Sequence, residues 1–257
     1  MPDIHAVPAF QDNYIWVLAE DGRAAVVDPG ESAPVERFLE AHGLTLTAIL
    51  ATHHHGDHVG GVPALVARWR CPVFGPARET IPEIGERLAE GDRITVPGLG
   101  LSFGVLDIPA HTAGHIAYVD SGGAPLVFCG DTLFACGCGR LFEGTAQQMS
   151  ESLTKLAALD GATRVYCGHE YTLANIRFAQ AVEPGNAALA ERKAREEAKR
   201  ARGEPTLPST IGEERLTNPF LRCGEPEVVA SAERHAGRRL RDAVEVFAEI
   251  RAWKNNF

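Results

Sequence analysis

The sequence predicts a mixed α/β sandwich followed by a helical C-terminal region, and three observations carry that reading. Short β-rich runs broken by Gly and Pro come before and after the helical stretches without strict alternation, which favours packed sheets over a doubly wound one. From about Leu173 onward strand patterns vanish and the chain reads as helices. The 257 residues, 45% of them hydrophobic, suffice for one large domain with an appendage, because single cores stop growing near ~250 to 300 residues.

The elements follow in order. Residues 4–7, 14–19 and 24–27 read as strands, the third ending in Asp28-Pro29-Gly30. Residues 34–41 place Val35, Phe38 and Leu39 on one helical face, and Gly43 closes that helix. Residues 47–51 form a short apolar run between polar flanks, the pattern of a buried strand, and 61–69 reads as helix. Between 93 and 127, strand-like segments separated by Pro97-Gly98 and Ser121-Gly122-Gly123 predict antiparallel sheet. Thr145 and Gln148 form a TxxQ capping box opening a helix with Met149, Leu153, Leu156 and Leu159 at helical spacing. Residues 164–167 predict a strand and 172–182 a helix.

In the tail, 191–202 reads as a solvated helix face with Glu191–Arg195 and Glu196–Arg200 four apart. Residues 228–236 and 240–253 are further expected helices. The division expected is a mixed α/β domain over 1–172 and a helical domain over 173–257.

With 25 Lys+Arg against 34 Asp+Glu, the formal charge of -9 argues against a nucleic-acid partner, which needs a basic surface. No apolar run approaches the ~18 residues of a membrane span, and the N-terminus lacks a basic segment leading into an apolar one. The expectation is therefore a cytoplasmic, monomeric enzyme acting on a small substrate, with no membrane partner. The six cysteines show no CxxC pair, so reduced thiols packed as small hydrophobes are expected.

The chemistry concentrates at strand ends. Thr52-His53-His54-His55-Gly56-Asp57-His58 stands directly after the buried strand. In extended chain, residues two apart point the same way, so His53 and His55 can share one ion while His54 turns aside. Gly56 then permits a turn that brings Asp57 and His58 to a second ion. His111, Asp131 and His169 likewise follow or end apolar runs, and seven of the ten histidines fall in three such segments. Asp28 is read as a turn or supporting residue, and His115 as a hydrogen-bond partner behind the ligands. Imidazole and carboxylate donors without thiolate indicate Zn, Fe or Mn rather than a closed cysteine site. Seven candidates, His53, His55, Asp57, His58, His111, Asp131 and His169, are too many for one tetrahedral ion and suit two divalent ions sharing a carboxylate.

The THHHGDH segment, followed in order by HTAGH, GDT and GHE, resembles the metallo-β-lactamase superfamily. Cys138 to Thr145 (CGRLFEGT), Gly168 to Thr172 (GHEYT), Asn218 to Arg222 (NPFLR) and Arg251-Ala252-Trp253-Lys254 resemble, within it, the hydroxyacylglutathione hydrolase (glyoxalase II) family over essentially the whole chain. That resemblance implies an αββα sandwich with a dinuclear site at one edge. It implies that His53, His55 and His111 hold one metal, that Asp57, His58 and His169 hold the other, and that Asp131 bridges them. Arg140, Phe142, Tyr171, Arg251 and Lys254 match positions lining the glutathione site. The sequence departs from the family at Phe142, where some relatives carry Tyr, and at Ala110, where Gly is usual before the histidine.

The implied reaction is hydrolysis of a glutathione thioester such as S-D-lactoylglutathione. Water activated between two cations attacks the carbonyl, Asp57 both ligates and orients it, and a thiol of pKa ~8.5 departs without a dedicated acid. An iron dioxygenase of the same fold would use one ion on a two-His, one-carboxylate face; the helical tail with Arg251 and Lys254 favours the hydrolase.

Overall fold

The computed structural model describes residues 2–120, 122 and 125–257. The first sheet begins as an antiparallel meander, β1 (Asp3–Ala9), β2 (Asn13–Glu20) and β3 (Arg23–Val27). Helix α1 (Ser32–His42) then crosses over to β4 (Thr45–Leu50), which pairs parallel with β3. After α2 (Gly56–Val59) and α3 (Val62–Trp69), β5 (Val73–Pro76) and β6 (Glu86–Leu88) extend the sheet in parallel.

The second sheet is built from β7 (Arg93–Thr95), β8 (Ser102–Asp107), β9 (Ile116–Asp120) and β10 (Leu126–Gly130), all antiparallel. A hairpin, β11 (Leu133–Phe134) and β12 (Gly137–Cys138), and helix α4 (Ala146–Ala157) lead to β13 (Arg164–Cys167), parallel to β10. Then come α5 (Thr172–Val182), α6 (Ala187–Ala201), β14 (Ser209–Thr210), α7 (Ile211–Thr217), a 3-10 turn at Pro219–Leu221, α8 (Pro226–Ala236) and α9 (Ala243–Asn255). Among the described residues these strands make two six-stranded sheets and the small hairpin.

Period-two alternation assigns each face. Ile15 and Val17 of β2 join Ile49 of β4 in a core with Val35 and Leu39 of α1 and Val62 and Leu65 of α3. Their neighbours Tyr14, Trp16 and Leu18, with Ala48 and Leu50, face the second sheet and pack with Phe103, Tyr118 and Phe128. Because both faces are covered, these strands read as continuous apolar runs. Trp16 ties the layers together: its ring meets Tyr166 edge-on at 4.8 Å and its indole N–H donates to the Cys167 carbonyl at 2.9 Å. Met149, Leu153 and Leu156 of α4 bury against the second sheet. The Thr145 hydroxyl and the Gln148 side chain cap α4 reciprocally, as the TxxQ pattern predicts. The expected sandwich with a helical C-terminal region is what the chain forms.

Three local expectations change. The region after Leu173 is not wholly strand-free, because Ser209 and Thr210 add β14 to the edge of the second sheet beside Val165 and Arg164. In α6 the expected Glu191–Arg195 and Glu196–Arg200 pairs are replaced: Arg195 reaches Glu213, and Glu196 pairs with Lys199 at 2.9 Å. That helix is not solvated all round either, since Arg192 is buried against Glu214 at 2.7 Å. Of the expected turn at Ser121-Gly122-Gly123, Ser121 and Gly123 lie outside the described residues.

Candidate metal centre and substrate pocket

Strand β4 delivers the His-rich segment to the edge of the sandwich. Where it ends, the Thr52 N–H and hydroxyl both donate to the Asp28 carboxylate at 2.7 Å. Asp28 also contacts His58 Nδ1 at 3.1 Å, so one buried carboxylate fixes the start of the loop and the ring of a candidate ligand. Asp57 and His58 are turned inward by the single-turn helix α2, which begins at Gly56 after His55. Gly56 does not adopt a left-handed conformation and has open space around it, so the turn rests on helix formation rather than on glycine's freedom.

The other candidates arrive from the second sheet. His111 follows β8, with Nδ1 held by the Arg140 carbonyl at 3.0 Å. Asp131 follows β10, and its N–H donates to His115 Nε2 at 3.1 Å, giving His115 the supporting role expected of it. His169 follows β13, with Nδ1 2.8 Å from Asp12 Oδ1. Gly168 leaves room for this convergence, since a Cβ there would lie 2.6 Å from both Asp131 Oδ1 and His58 Cε1.

Two donor triads result. Ligand atoms of His53, His55 and His111 lie within 4.8 Å of one another, and so do those of Asp57, His58 and His169. His55 Nδ1 stands 3.2 Å from His53 Nε2 and 3.0 Å from His111 Nε2. Asp131 touches both groups: Oδ1 is 3.3 Å from His58 Nε2, and Oδ2 is 3.4 Å from His111 Nε2 and 3.3 Å from His169 Nε2. The structure thus brings the seven expected ligands together, with His54 turned aside toward Glu79.

The donors fit a pair of divalent cations. His58 Nε2 and Asp131 Oδ1 are buried without a hydrogen-bond partner among the described residues, and orphaned atoms of this kind call for a counterpart such as an ion. Burial, reinforced by His58, holds the His53 imidazole well below its usual range, and burial also lowers His55 and His111. Neutral rings with free lone pairs are what a cation needs. For His58 and His169 burial acts downward, but the Asp131 carboxylate outweighs it and raises both. Asp131 is held well below the ordinary carboxylate range, His58 and His169 overcoming its burial. Asp57 is lowered too, against its partial burial, by His58 and by the Asn13 amide that donates to Oδ2 at 3.1 Å.

A cavity of about 620 Å³ opens over this centre, with His55, Asp57, His111, Asp131 and His169 on one side. Arg140, Phe142, Tyr171, Arg251 and Lys254 line it as well. The Phe142 ring is 62% exposed and stands edge-on 5.6 Å from His55 and 5.3 Å from His111. Tyr171 stacks on His169, centroids 4.7 Å apart and planes within 3°. Arg251 is buried, and Nη1 donates to the Cys138 carbonyl at 2.8 Å. Lys254 donates to Asn175 Oδ1, and burial together with Arg251 pushes its ammonium down to about 8.

All six cysteines are free and buried. Burial pushes the Cys136 thiol up to about 12, so that thiol is not a nucleophile near neutral pH. Sequence reasoning did not find Asp12, Asn13, Glu79 or Asn175. The polar pair Asp12-Asn13 at the start of β2 was a usable signal, whereas Glu79 and Asn175 carry none that local pattern reveals.

Comparison with known proteins agrees with this geometry. Residues 9–169 match the model of the metallo-β-lactamase superfamily, and residues 170–257 match that of the hydroxyacylglutathione hydrolase C-terminus. The chain is 58% identical over 266 residues to hydroxyacylglutathione hydrolase of Cupriavidus taiwanensis, covering 100% of each. Its fold resembles that of ETHE1 from Myxococcus xanthus, with a TM-score of 0.65 and 25% identity over 99% of this chain and 98% of that one. It also resembles TTHA1623 in a di-iron-bound form, with a TM-score of 0.59 and 28% identity over 85% of this chain and 100% of that one. A sandwich with paired His/Asp triads at its edge is a metallo-β-lactamase superfamily protein. Within that superfamily, the chain belongs to the hydroxyacylglutathione hydrolase (glyoxalase II) family. No helix among the described residues is long and apolar enough to cross a membrane.

Proposed function

We propose that the chain hydrolyses S-(2-hydroxyacyl)glutathione, S-D-lactoylglutathione in particular, to glutathione and D-lactate, the second step of methylglyoxal detoxification. The observation that carries this reading is Asp131, whose two oxygens contact both donor triads at the floor of one cavity. His53, His55 and His111 would hold one divalent ion and Asp57, His58 and His169 the other, with Asp131 placed to serve both. Zn is the proposed occupant, with Fe or Mn acceptable to the same donors. Bound there, two such ions would supply Lewis acidity toward the thioester carbonyl and lower the pKa of water toward neutral.

The remaining work falls to the chain's own groups. Asp57, steadied by Asn13, presents its carboxylate to the cavity, where it can orient the attacking water by accepting a hydrogen bond from it. Lys254 and Arg251 hold the glycine carboxylate of glutathione, and Arg140, Phe142 and Tyr171 bound the peptide and the acyl group. The glutathione thiolate leaves unaided, its pKa of ~8.5 making a general acid unnecessary. In this reading residues 1–172 form the catalytic domain and 173–257 the substrate-binding domain. The enzyme is proposed to act as a cytoplasmic monomer without nucleic-acid or membrane partners, the charge of -9 supporting the absence of a nucleic-acid partner. The test is loss of the thioester absorbance of S-D-lactoylglutathione with purified protein. Turnover that chelation abolishes is expected, and no hydrolysis by the metal-replete protein would refute the proposal.

A further inference from the structure

His54, between two candidate ligands, points away from the centre and into a pair of carboxylates. Its Nδ1 is 3.0 Å from Glu79 Oε2 and its Nε2 is 3.4 Å from Glu143 Oε1. Glu79 stands in the connection between β5 and β6, with its side chain only 2% exposed. Its second oxygen, Oε1, accepts from the Thr112 hydroxyl and, at 3.0 Å, from the Gly114 N–H. Glu143 accepts from the intervening Ala113 N–H at 2.7 Å. Three successive residues after His111 are therefore tied to the ring that lies between His53 and His55.

A buried carboxylate is tolerated where donors satisfy it, and Glu79 has three. The close approach is built into the backbone, since a Cβ on Gly114 would meet Glu79 Cγ at 2.6 Å. The first donor triad is assembled from two segments far apart in sequence, the loop after β4 and the loop after β8. A backbone bond from the Ile116 N–H to the Thr52 carbonyl, 3.0 Å, links them beside His115. Glu79 links them again around His54 and Thr112.

We propose that Glu79 is a positioning residue for the first metal site, clamping the His54 and Thr112–Gly114 segments so that His53, His55 and His111 converge on one ion. The proposal rests on the assignment of those three histidines to one site. Glu79 is not one of the seven expected ligands, and its contacts run to His54 and the His111 loop. Partners that orient ligands in this way change metal affinity by about 10- to 100-fold when removed.

The experiment is stepwise titration of chelator-stripped protein with Co(II), read by visible absorption, and with Zn(II) against a chromophoric chelator. Glu79→Ala is expected to weaken one of the two binding steps by about 10- to 100-fold and to leave the other unchanged. Glu79→Gln, whose amide oxygen can still accept from Thr112 and Gly114, is expected to recover part of that loss. Leu39→Ala, a lesion in the core against α1, should lower the melting temperature and keep both affinities. Should Glu79→Ala not fold, Thr112→Val removes a single donor and is expected to weaken the same step by a smaller factor. Wild-type affinities for both steps in Glu79→Ala, or in Thr112→Val where the first does not fold, overturn the clamp, as does the same selective loss in Leu39→Ala. His111→Ala separates the two levels: if it binds both ions normally, the site assignment fails and the clamp with it. If it loses one ion while Glu79→Ala loses none, the clamp alone fails.

Discussion

His58 Nε2 and Asp131 Oδ1 face each other at 3.3 Å, buried and without hydrogen-bond partners among the described residues. Two such atoms left to themselves are costly, at about 1 to 3 kcal/mol each, and a shared cation satisfies both. Asp131→Ala is therefore expected to lose at least one of two ions and nearly all turnover. Elemental analysis alongside the thioester assay checks this. A variant that keeps both ions and near-normal rate would reduce Asp131 to a strand-end residue.

Tyr171 contributes through its ring and its hydroxyl in different ways. The ring stacks on His169, and the residue also lines the cavity over the centre. Tyr171→Phe should keep both ions and lose substrate affinity, seen as a raised KM. Tyr171→Ala should additionally loosen His169 and lower metal content.

Lys254 gives the clearest pH signature. Its ammonium is pushed down to about 8 by burial and by Arg251, so it is charged below that pH and neutral above it. If it holds a carboxylate of the substrate, KM should rise as pH passes upward through 8 while kcat changes little. The stability effect runs the other way. Burying the charged form is penalised below pH 8, and this penalty fades as pH climbs toward the ordinary value of 10.5. Lys254→Ala should raise KM by about 10- to 100-fold, the equivalent of a charge-assisted hydrogen bond of about 1.5 to 3 kcal/mol, and flatten the KM profile. The same substitution at Arg251 is a less clean test, because that guanidinium also holds the Cys138 carbonyl.

Ala110 adopts φ 135°, a conformation natural to glycine, and is fully buried beside Gly144. Its Cβ makes that backbone strained, by about 1 to 3 kcal/mol. Ala110→Gly is expected to stabilise the protein by about 1 kcal/mol, measured as an increased denaturant midpoint. A decrease would mean that the packing of the Ala110 methyl group outweighs the strain.

Much of this centre was legible because strand ends announce themselves in sequence. An apolar run that stops at His, Asp or Gly-Asp marks where a buried strand emerges, and three such points carry the His53–His58 segment, Asp131 and His169. The period-two rule correctly sent His54 away from His53 and His55. What it could not show is where His54 goes, since Glu79 lies 25 residues further on in a loop without periodicity. Asp12 meets His169 across 157 residues, a contact set by the packing of one sheet on the other, and Asn13 meets Asp57 across 44, a contact set by the pairing order within the first sheet. The same limit hid β14, which is two residues long and pairs with β13 from the far side of α6. The helical charge rule failed at Glu191–Arg195 because α7 offers Glu213, and at Glu196–Arg200 because Lys199 takes Glu196 instead.

The central claim is that two ions held by these triads drive thioester hydrolysis, and metal titration of turnover tests it most directly. Chelator-stripped protein should be inactive toward S-D-lactoylglutathione and regain activity as Zn(II) is added, reaching a plateau at two ions per chain. Undiminished turnover in the stripped protein, or a plateau at a single ion, would contradict the account.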